Sequence, residues 1–514
     1  MNNMTIERKS LWTSRNPTNY PSIPSSMEAD VCVVGAGITG LTTAILLQQK
    51  GLKVVLVERN QVGSGTTGYT TGHVTSAIDL YYHKLIKSDG IDKAKEVAMA
   101  TIKARKLIEN LINMYDIREA GYKIVPATYY ADRVEHIESL EKEKEAMLKV
   151  GIPTMQLPEI SLKGTLADFS IAGQGMMDGM GYVVGLAKAF VSAGGQLFEN
   201  SPVRDFEYIK DKWHVKTGEF FVVADHMVHA THTPMNINPV QMEMVPYNSY
   251  AMVVKPKAEI KEGLYYDFDS PYHYIRPCEV DGEQCYLIGG SDSKSGKKNE
   301  QKKQLKQLEE YIHFKFGIEK IHYAWSDMFF EPASHLPYIG KNPLGTNSYI
   351  ATGFSGDGLT FGTLSAMIIS SLISDGHHYL EDIFNPARVE FNAIPFILKE
   401  NFNALEHLVG DRISLDNEKL HDLTSGKGII IKLNDQTVGV SMDQNNELHA
   451  VVPVCPHMKC IVQWNDSDQT WDCGCHGSRF SCEGKAIAGP TMSDLPPVII
   501  DVIHQPQSQE RDLT

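Results

Sequence analysis

The pattern of apolar and polar positions changes period twice within the first sixty residues. In ADVCVVGAGITGLTTAILLQQKGLKVVLVERN (29–60), β-branched runs flank a stretch whose apolar residues recur at helical spacing. That order predicts strand, glycine-rich turn, helix and second strand, the opening of an α/β domain. Val97, Ile102, Leu107, Ile108, Leu111 and Ile112 predict an amphipathic helix from about 91 to 117, facing a core. The stretch KKNEQKKQLKQLEEYIHFKF (297–316) is charged, but Leu305, Leu308 and Ile312 give it one apolar face, so a solvated surface helix is expected. YIATGFSGDGLTFGTLSAMIISSLI (349–373) repeats the order of strand, glycine turn and apolar helix. Between 405 and 428 the sequence turns polar, and short apolar runs broken by Asn, Asp and Gly follow. A linker and then a small β-rich module are expected there.

Composition changes this picture little. A chain of 514 residues is too long for one hydrophobic core and fits a large domain plus a smaller one, or two to three domains. Apolar residues make up 42% and charged residues 22%, the balance of a globular protein, and no apolar run is long enough to span a bilayer. The N-terminal MNNMTIERKSLWTSRNPTNY has no apolar signal region, so a cytoplasmic location is expected. A formal charge of −15 disfavours nucleic acid or an anionic membrane as partner, because both recruit basic patches.

Candidate chemistry begins at Gly35-Ala36-Gly37-Ile38-Thr39-Gly40, which ends the first predicted strand and opens the helix. Gly35 permits the tight turn, Gly37 lets backbone approach a pyrophosphate, and Gly40 allows close helix–strand packing. The helix N-terminus supplies N–H groups to phosphate, and Glu58, 18 residues after Gly40, ends the next strand where it can accept from ribose hydroxyls. The bland alternative is a glycine turn packed for tightness alone. The hydroxyl-rich NQVGSGTTGYTTGHVTS and the second glycine turn at 353–362 suit a flavin better than a nicotinamide.

VVGAGITGLTTA, VERNQVGSGTTG, YHYIRP with CYLIGG, LPYIG and ATGFSGDGL together resemble the FAD-dependent oxidoreductases that include D-amino acid, glycine and sarcosine oxidases, over roughly residues 28 to 395. The resemblance implies a Rossmann-like FAD domain interleaved with an antiparallel-sheet substrate domain. It assigns the ADP half of FAD to Gly35, Gly37, Gly40, Glu58 and Arg59, the pyrophosphate and isoalloxazine to Ser64, Gly65, Thr66 and Thr67, and the adenine to Val203. Gly353, Phe354, Ser355, Gly356, Asp357, Gly358 and Leu359 fall at the pyrimidine end. Two positions depart from the family. Tyr69 stands where some relatives bind flavin covalently through histidine, so non-covalent FAD is expected, and His232 in ATH stands where the family usually has glycine.

Five of the eight cysteines and two histidines crowd into residues 455–482. Cys455-Pro456-His457, fifteen residues, then Cys473-Gly474-Cys475-His476 gives each half one cysteine and one histidine. A zinc knuckle usually pairs like with like inside each half. The split fits two irons, with Cys455 and Cys473 on one and His457 and His476 on the other, the arrangement of a Rieske [2Fe-2S] centre. HGSRF, Gly489-Pro490 and Leu495-Pro496-Pro497 resemble the Rieske family over about 420 to 505. Resemblance to the respiratory and photosynthetic type implies a Cys460–Cys475 disulfide, although Lys459 and Gly474 replace the family's usual glycine and proline. Cys32, Cys278, Cys285 and Cys482 read as ordinary packing cysteines.

The division expected is a lead-in (1–27), an FAD-dependent oxidoreductase unit (28–404), a linker (405–419), a small all-β Rieske domain (420–505) and a tail (506–514). The function expected is oxidation of an amine or amino acid, with electrons passing from flavin to the cluster and on to an external acceptor. A flavin–Rieske reductase feeding an oxygenase, or a non-catalytic redox sensor, are the alternatives. Tyr274 and Arg276 in YHYIRP are candidates to hold a substrate carboxylate, and His73 is a candidate base; a strand-end arginine and a packing histidine are the plain readings.

Overall fold

The structure is a computed structural model and describes residues 9–13, 18–157, 162, 164–258, 260–296, 300–388, 423–433 and 436–499; the linker and tail expected at 405–419 and 506–514 lie outside these. Met27–Val34, Ile38–Gln49 and Val54–Val57 form the strand, helix and strand that open the chain. The two periodic stretches become the helices Ile91–Met114 and Glu300–Phe316. Ser348–Thr352 and Gly358–Ser374 are the later strand and helix.

In the first sheet Met27–Val34 lies between Phe220–His229 and Val54–Val57, all parallel. Ser348–Thr352 and Gln196–Phe198 extend it on either side, also in parallel. Parallel strands must be covered on both faces, and alternate residues supply both cores. Val31 and Val33 enter the core beneath the mutually packed helices Ile38–Gln49 and Gly358–Ser374. Cys32 and Val34 enter another beneath the hairpin Val203–Ile209 and Lys212–Thr217.

A second, nine-stranded sheet is mostly antiparallel and is built from segments between His73 and Pro332. The chain leaves the first sheet after Val57, returns at Gln196, leaves again at Met244 and returns at Tyr338. The result is the mixed α/β architecture of a Rossmann-like domain interleaved with a curled substrate sheet. The C-terminal region is a separate small all-β unit, with a sheet of Gly428–Leu433, Gln436–Met442 and Leu448–Val451 and another of Gln463–Asn465, Thr470–Asp472, Arg479–Phe480 and Ala486–Ala488. Among the described residues no helix is long and apolar enough to cross a membrane.

The lead-in contributes more than a tether. Leu11 and Trp12 are buried in the main core. Trp12 Nε1 donates to the Thr70 carbonyl (2.6 Å) and Ser10 Oγ to the Gly68 carbonyl (2.6 Å), so this short segment braces the SGTTGYTTG turn.

Candidate functional site

A long cavity runs along the C-terminal ends of the parallel strands and continues between the two sheets. At its first end Gly35 takes φ +104°, and a Cβ there would fall 2.4 Å from the Ala230 carbonyl oxygen. Only glycine fits such a turn. Glu58 is held by Ala36 N–H (2.8 Å) and Asn60 N–H (2.9 Å), one on each carboxylate oxygen. Burial raises its pKa against those two N–H groups, and each oxygen keeps a lone pair for a ribose hydroxyl.

Gly37, Ser64, Gly65, Thr66, Thr67 and Val203 line the cavity, and no protein atom approaches the space beside Gly65 where a side chain would stand. Thr67 Oγ1 accepts from Ile38 N–H at 3.2 Å, which ties the hydroxyl-rich turn to the first helix. Phe354, Ser355, Gly356, Asp357, Gly358 and Leu359 form the far wall.

Two of the residues assigned to FAD by resemblance stand behind the wall. Gly40 is pressed on the Gly35 carbonyl, where a Cβ would fall at 1.8 Å, and Gly353 packs on Pro332 and Met244. Both shape the turns that line the cavity without facing it. Arg59 lines the cavity but sends Nη1 to the carbonyl of Ala486 in the small domain (3.0 Å).

Further along, Tyr69, His73, Tyr81, Tyr129, Tyr266, Tyr272 and Tyr274 face the same cavity with Asp79 and Asp357. His73 Nδ1 lies 2.7 Å from the Tyr266 hydroxyl, while its Nε2 is buried without a partner. Burial, helped by the Arg276 charge, holds His73 well below the ordinary histidine range, so it is neutral at pH 7. Tyr274 OH lies 3.2 Å from Ser249 Oγ, and its ring occupies the space that a side chain on Gly289 would need.

Arg276 corrects its sequence assignment. Its Nη1 donates to the carbonyls of Met177 (2.8 Å), Thr71 (3.1 Å) and Gly72 (3.1 Å), and it is buried beside the Trp12 ring outside the cavity lining. It is neither a carboxylate clamp nor a surface arginine; it braces the backbone under His73.

The second site lies in the small domain, where Cys455, Cys473 and His476 are buried and His457 is half-buried. The two imidazole rings meet edge to face with centroids 5.1 Å apart. Both Nδ1 atoms are buried with no hydrogen-bond partner. N–H groups of His457 and Met458 point at the Cys455 sulfur and those of Cys475 and His476 at the Cys473 sulfur. Ser478 Oγ, buried without an oxygen or nitrogen partner, lies beside the Cys455 sulfur. Two sulfurs with N–H donors and two orphaned Nδ1 atoms are the donor set a Rieske cluster takes. Cys460 and Cys475 form the disulfide across the two ligand loops, with Cα atoms 6.6 Å apart.

The two sites touch, which no motif in the chain announces. Ile487, Ala488 and Gly489 of the small domain line the flavin cavity. Gly477, next to His476, packs so closely on Phe330 and Met328 of the strand Ile318–Pro332 that a Cβ would fall 2.6 and 2.8 Å from them. Asp468 accepts from Ser326 Oγ (2.8 Å), and Asn236 N–H donates to the Pro490 carbonyl (3.0 Å). These contacts each span more than a hundred residues of sequence and carry no local pattern.

Fold and sites together define a flavoprotein fused to an iron–sulfur module. Residues 30–372 match the family of FAD dependent oxidoreductases (DAO) and residues 416–499 the Rieske [2Fe-2S] domain. The chain therefore belongs to the DAO family of FAD-dependent oxidoreductases and carries a C-terminal Rieske domain. It is similar along nearly its whole length to the putative Rieske 2Fe-2S iron-sulfur protein YhfW of Bacillus subtilis (strain 168), at 29% identity over 500 residues, 95% of this chain and 97% of the relative. The gamma-glutamylputrescine oxidoreductase of Escherichia coli (strain K12) is 24% identical over 378 residues, 69% of this chain and 85% of the relative. Among solved structures, glycine oxidase from Geobacillus kaustophilus shares the fold with a TM-score of 0.59 at 17% identity, covering 71% of this chain and 100% of that one.

Proposed function

We propose that this chain is an FAD-dependent dehydrogenase of a small amine or amino acid, with electrons leaving the flavin site through the fused Rieske cluster. The observation that carries this reading is the shared wall. Met328 lines the flavin cavity and touches the loop that holds His476, so one strand borders both sites. When bound, FAD takes two electrons from a substrate C–H bond and the cluster relays them one at a time.

The chain's own residues supply binding and proton handling. In the tautomer that donates Nδ1–H to the Tyr266 oxygen, His73 keeps a lone pair on Nε2 to take a proton from a substrate ammonium. Apart from Glu58 and Arg59, which the resemblance assigns to the ADP half, the wall carries Asp79, Asp327 and Asp357, and Arg59 is itself bonded to the Ala486 carbonyl. With Arg276 also committed to backbone carbonyls, the cavity suits a cationic nitrogen among tyrosine faces better than a free carboxylate. Two similar proteins are named for nitrogen-containing compounds, glycine and gamma-glutamylputrescine, which supports the same substrate class. Tyr69 in place of a flavin-linking histidine supports non-covalent FAD, which acid precipitation then releases into the supernatant.

The test is an anaerobic titration with amines and amino acids, following flavin absorbance and the cluster's EPR signal together. Bleaching followed by growth of a Rieske signal is the expected result. If every amine and amino acid leaves the flavin oxidised while dithionite alone produces the signal, the reading fails. In His73→Gln, substrate-dependent bleaching is expected to fall at least 100-fold, the range a positioned base contributes, with FAD content unchanged.

A further inference from the structure

We propose that Gln241, a residue of the flavin domain, is a positioning residue for the cluster: its side-chain oxygen takes the Nε2–H of His457, fixes the ring so that Nδ1 faces iron, and lowers the cluster's midpoint potential. Gln241 sits in the short turn Pro239–Glu243, 216 residues from His457 in sequence, and is buried.

The direction of this hydrogen bond follows from what surrounds the amide. Gln241 Nε2 donates to the carbonyls of Pro234 (2.7 Å) and Asn236 (2.8 Å). Its Oε1 accepts from Asn238 N–H at 3.0 Å. Turning the amide over would set an oxygen against two carbonyls and an NH2 against an N–H, so the orientation has one solution. Oε1 can only accept, and His457 Nε2 lies 3.0 Å from it, so that nitrogen carries the hydrogen. A neutral imidazole protonated at Nε2 has its lone pair on Nδ1, the atom that is buried and unpartnered. The backbone carbonyl of Asn236 is a second acceptor for the same ring.

An acceptor on the outer N–H raises the basicity of the ligating nitrogen and favours oxidised iron. The flavin domain thus sets the electronics of a cluster that a different domain binds.

The test compares Gln241→Leu with Asn238→Ala, which disturbs the same turn but leaves the Gln241 acceptor in place, in the full-length, cofactor-loaded protein, by dithionite titration with mediators monitored by EPR. One electron enters the cluster from the reductant and no substrate is needed, so the result stands whatever the substrate proves to be. Leucine removes the acceptor and is expected to raise the midpoint potential; Asn238→Ala removes the side-chain bonds to Val240 N–H and Asn342, keeps the backbone N–H that holds Gln241 Oε1, and is expected to leave the potential unchanged. The leucine shift is expected to change the oxidised-to-reduced ratio at fixed potential up to tenfold, about 59 mV for one electron. Iron and FAD contents report folding. Loss of iron in the leucine variant alone, with FAD kept, also supports the proposal, because it means an acceptor is needed to present Nδ1. Equal or absent shifts, a leucine shift to lower potential, or equal iron loss from both variants with FAD kept would each overturn it.

Discussion

Lys459 and His232 occupy the left-handed region, with φ of 64° and 69°, at the two points where the related families usually have glycine. A side chain there costs roughly 1–2 kcal/mol, and the two residues differ in what they return. His232 places Nδ1 3.3 Å from Thr66 Oγ1 and its ring edge-on to Phe330, on the wall between the two sites. Lys459 is an exposed side chain on a ligand loop. Lys459→Gly is therefore expected to stabilise the cluster domain by about 0.5–1 kcal/mol, the relieved strain less glycine's added freedom in the unfolded chain. Loss of cluster absorbance on heating measures it, and a lower midpoint in the variant would contradict the argument. A different residue sets the response to acid. His229 is fully buried beside Phe206, both ring nitrogens lack partners, and burial lowers its pKa to about 4. The folded state resists protonation that the unfolded chain accepts near 6.5, so the stabilising difference is complete above that pH and is lost as pH falls towards 4. From His229 alone about 2 kcal/mol is expected to disappear between pH 7 and pH 5, and His229→Leu is expected to make that part of the unfolding profile shallower by about that amount, while His73 and His232, which burial also lowers, keep their share.

Elements with a repeating pattern were legible, and the latches between them were not. Helix Ile91–Met114 was visible because Val97, Ile108 and Leu111 recur on one face, and the first βαβ unit because its glycines, helix and Glu58 keep fixed spacings. The cluster ligands were readable for the same reason, since donor type and spacing are local. Arg276 was misread because its role depends on Thr71, Gly72 and Met177, which nothing in YHYIRP announces. Asp79 is a further case. Its carboxylate accepts from Gly356 N–H (2.6 Å), and Asp357 Oδ2 in return accepts from Asp79 N–H (2.9 Å), so two loops 277 residues apart hold each other on the flavin wall. Burial raises both acids, Asp79 to about 6. Asp79→Ala leaves Gly356 N–H without its partner and is expected to cost about 1–3 kcal/mol, seen as faster loss of FAD on dilution and a lower melting temperature. Unchanged FAD retention would show that the latch does not hold the wall.

At the scale of the whole molecule, the question is what seats the cluster domain on the flavin domain. Charge contributes through Arg479, buried among Asp468 and Asp472 of its own domain and 3.9 Å from Asp327 on the flavin wall. Shape contributes at a close backbone contact besides the packing of Gly477 on Phe330 and Met328. Gly296, at φ +77°, lies so close to Gly474 that a Cβ would fall 2.4 Å from the Gly474 Cα. A proline at 474 would press its ring into the same loop, which gives a physical reason for the glycine found there. Gly296→Ala is then expected to lever the cluster loop off its seat. Overpacking of about 1–3 kcal/mol corresponds to roughly 5- to 150-fold more of an undocked form. FAD and iron contents are expected to stay level, because neither ligand set is touched, while electron transfer from reduced flavin to cluster slows in stopped-flow and freeze-quench EPR. Backbone strain at a positive φ is a confounding effect, and Gly282→Ala controls for it, since Gly282 has φ +78° with nothing within 4 Å of its added Cβ. If both alanine variants slow transfer equally, strain explains the result and the contact does not seat the domain. If only Gly296→Ala slows it, the cluster takes electrons from this flavin in the docked arrangement, and the close fit of two glycines is what keeps that arrangement populated.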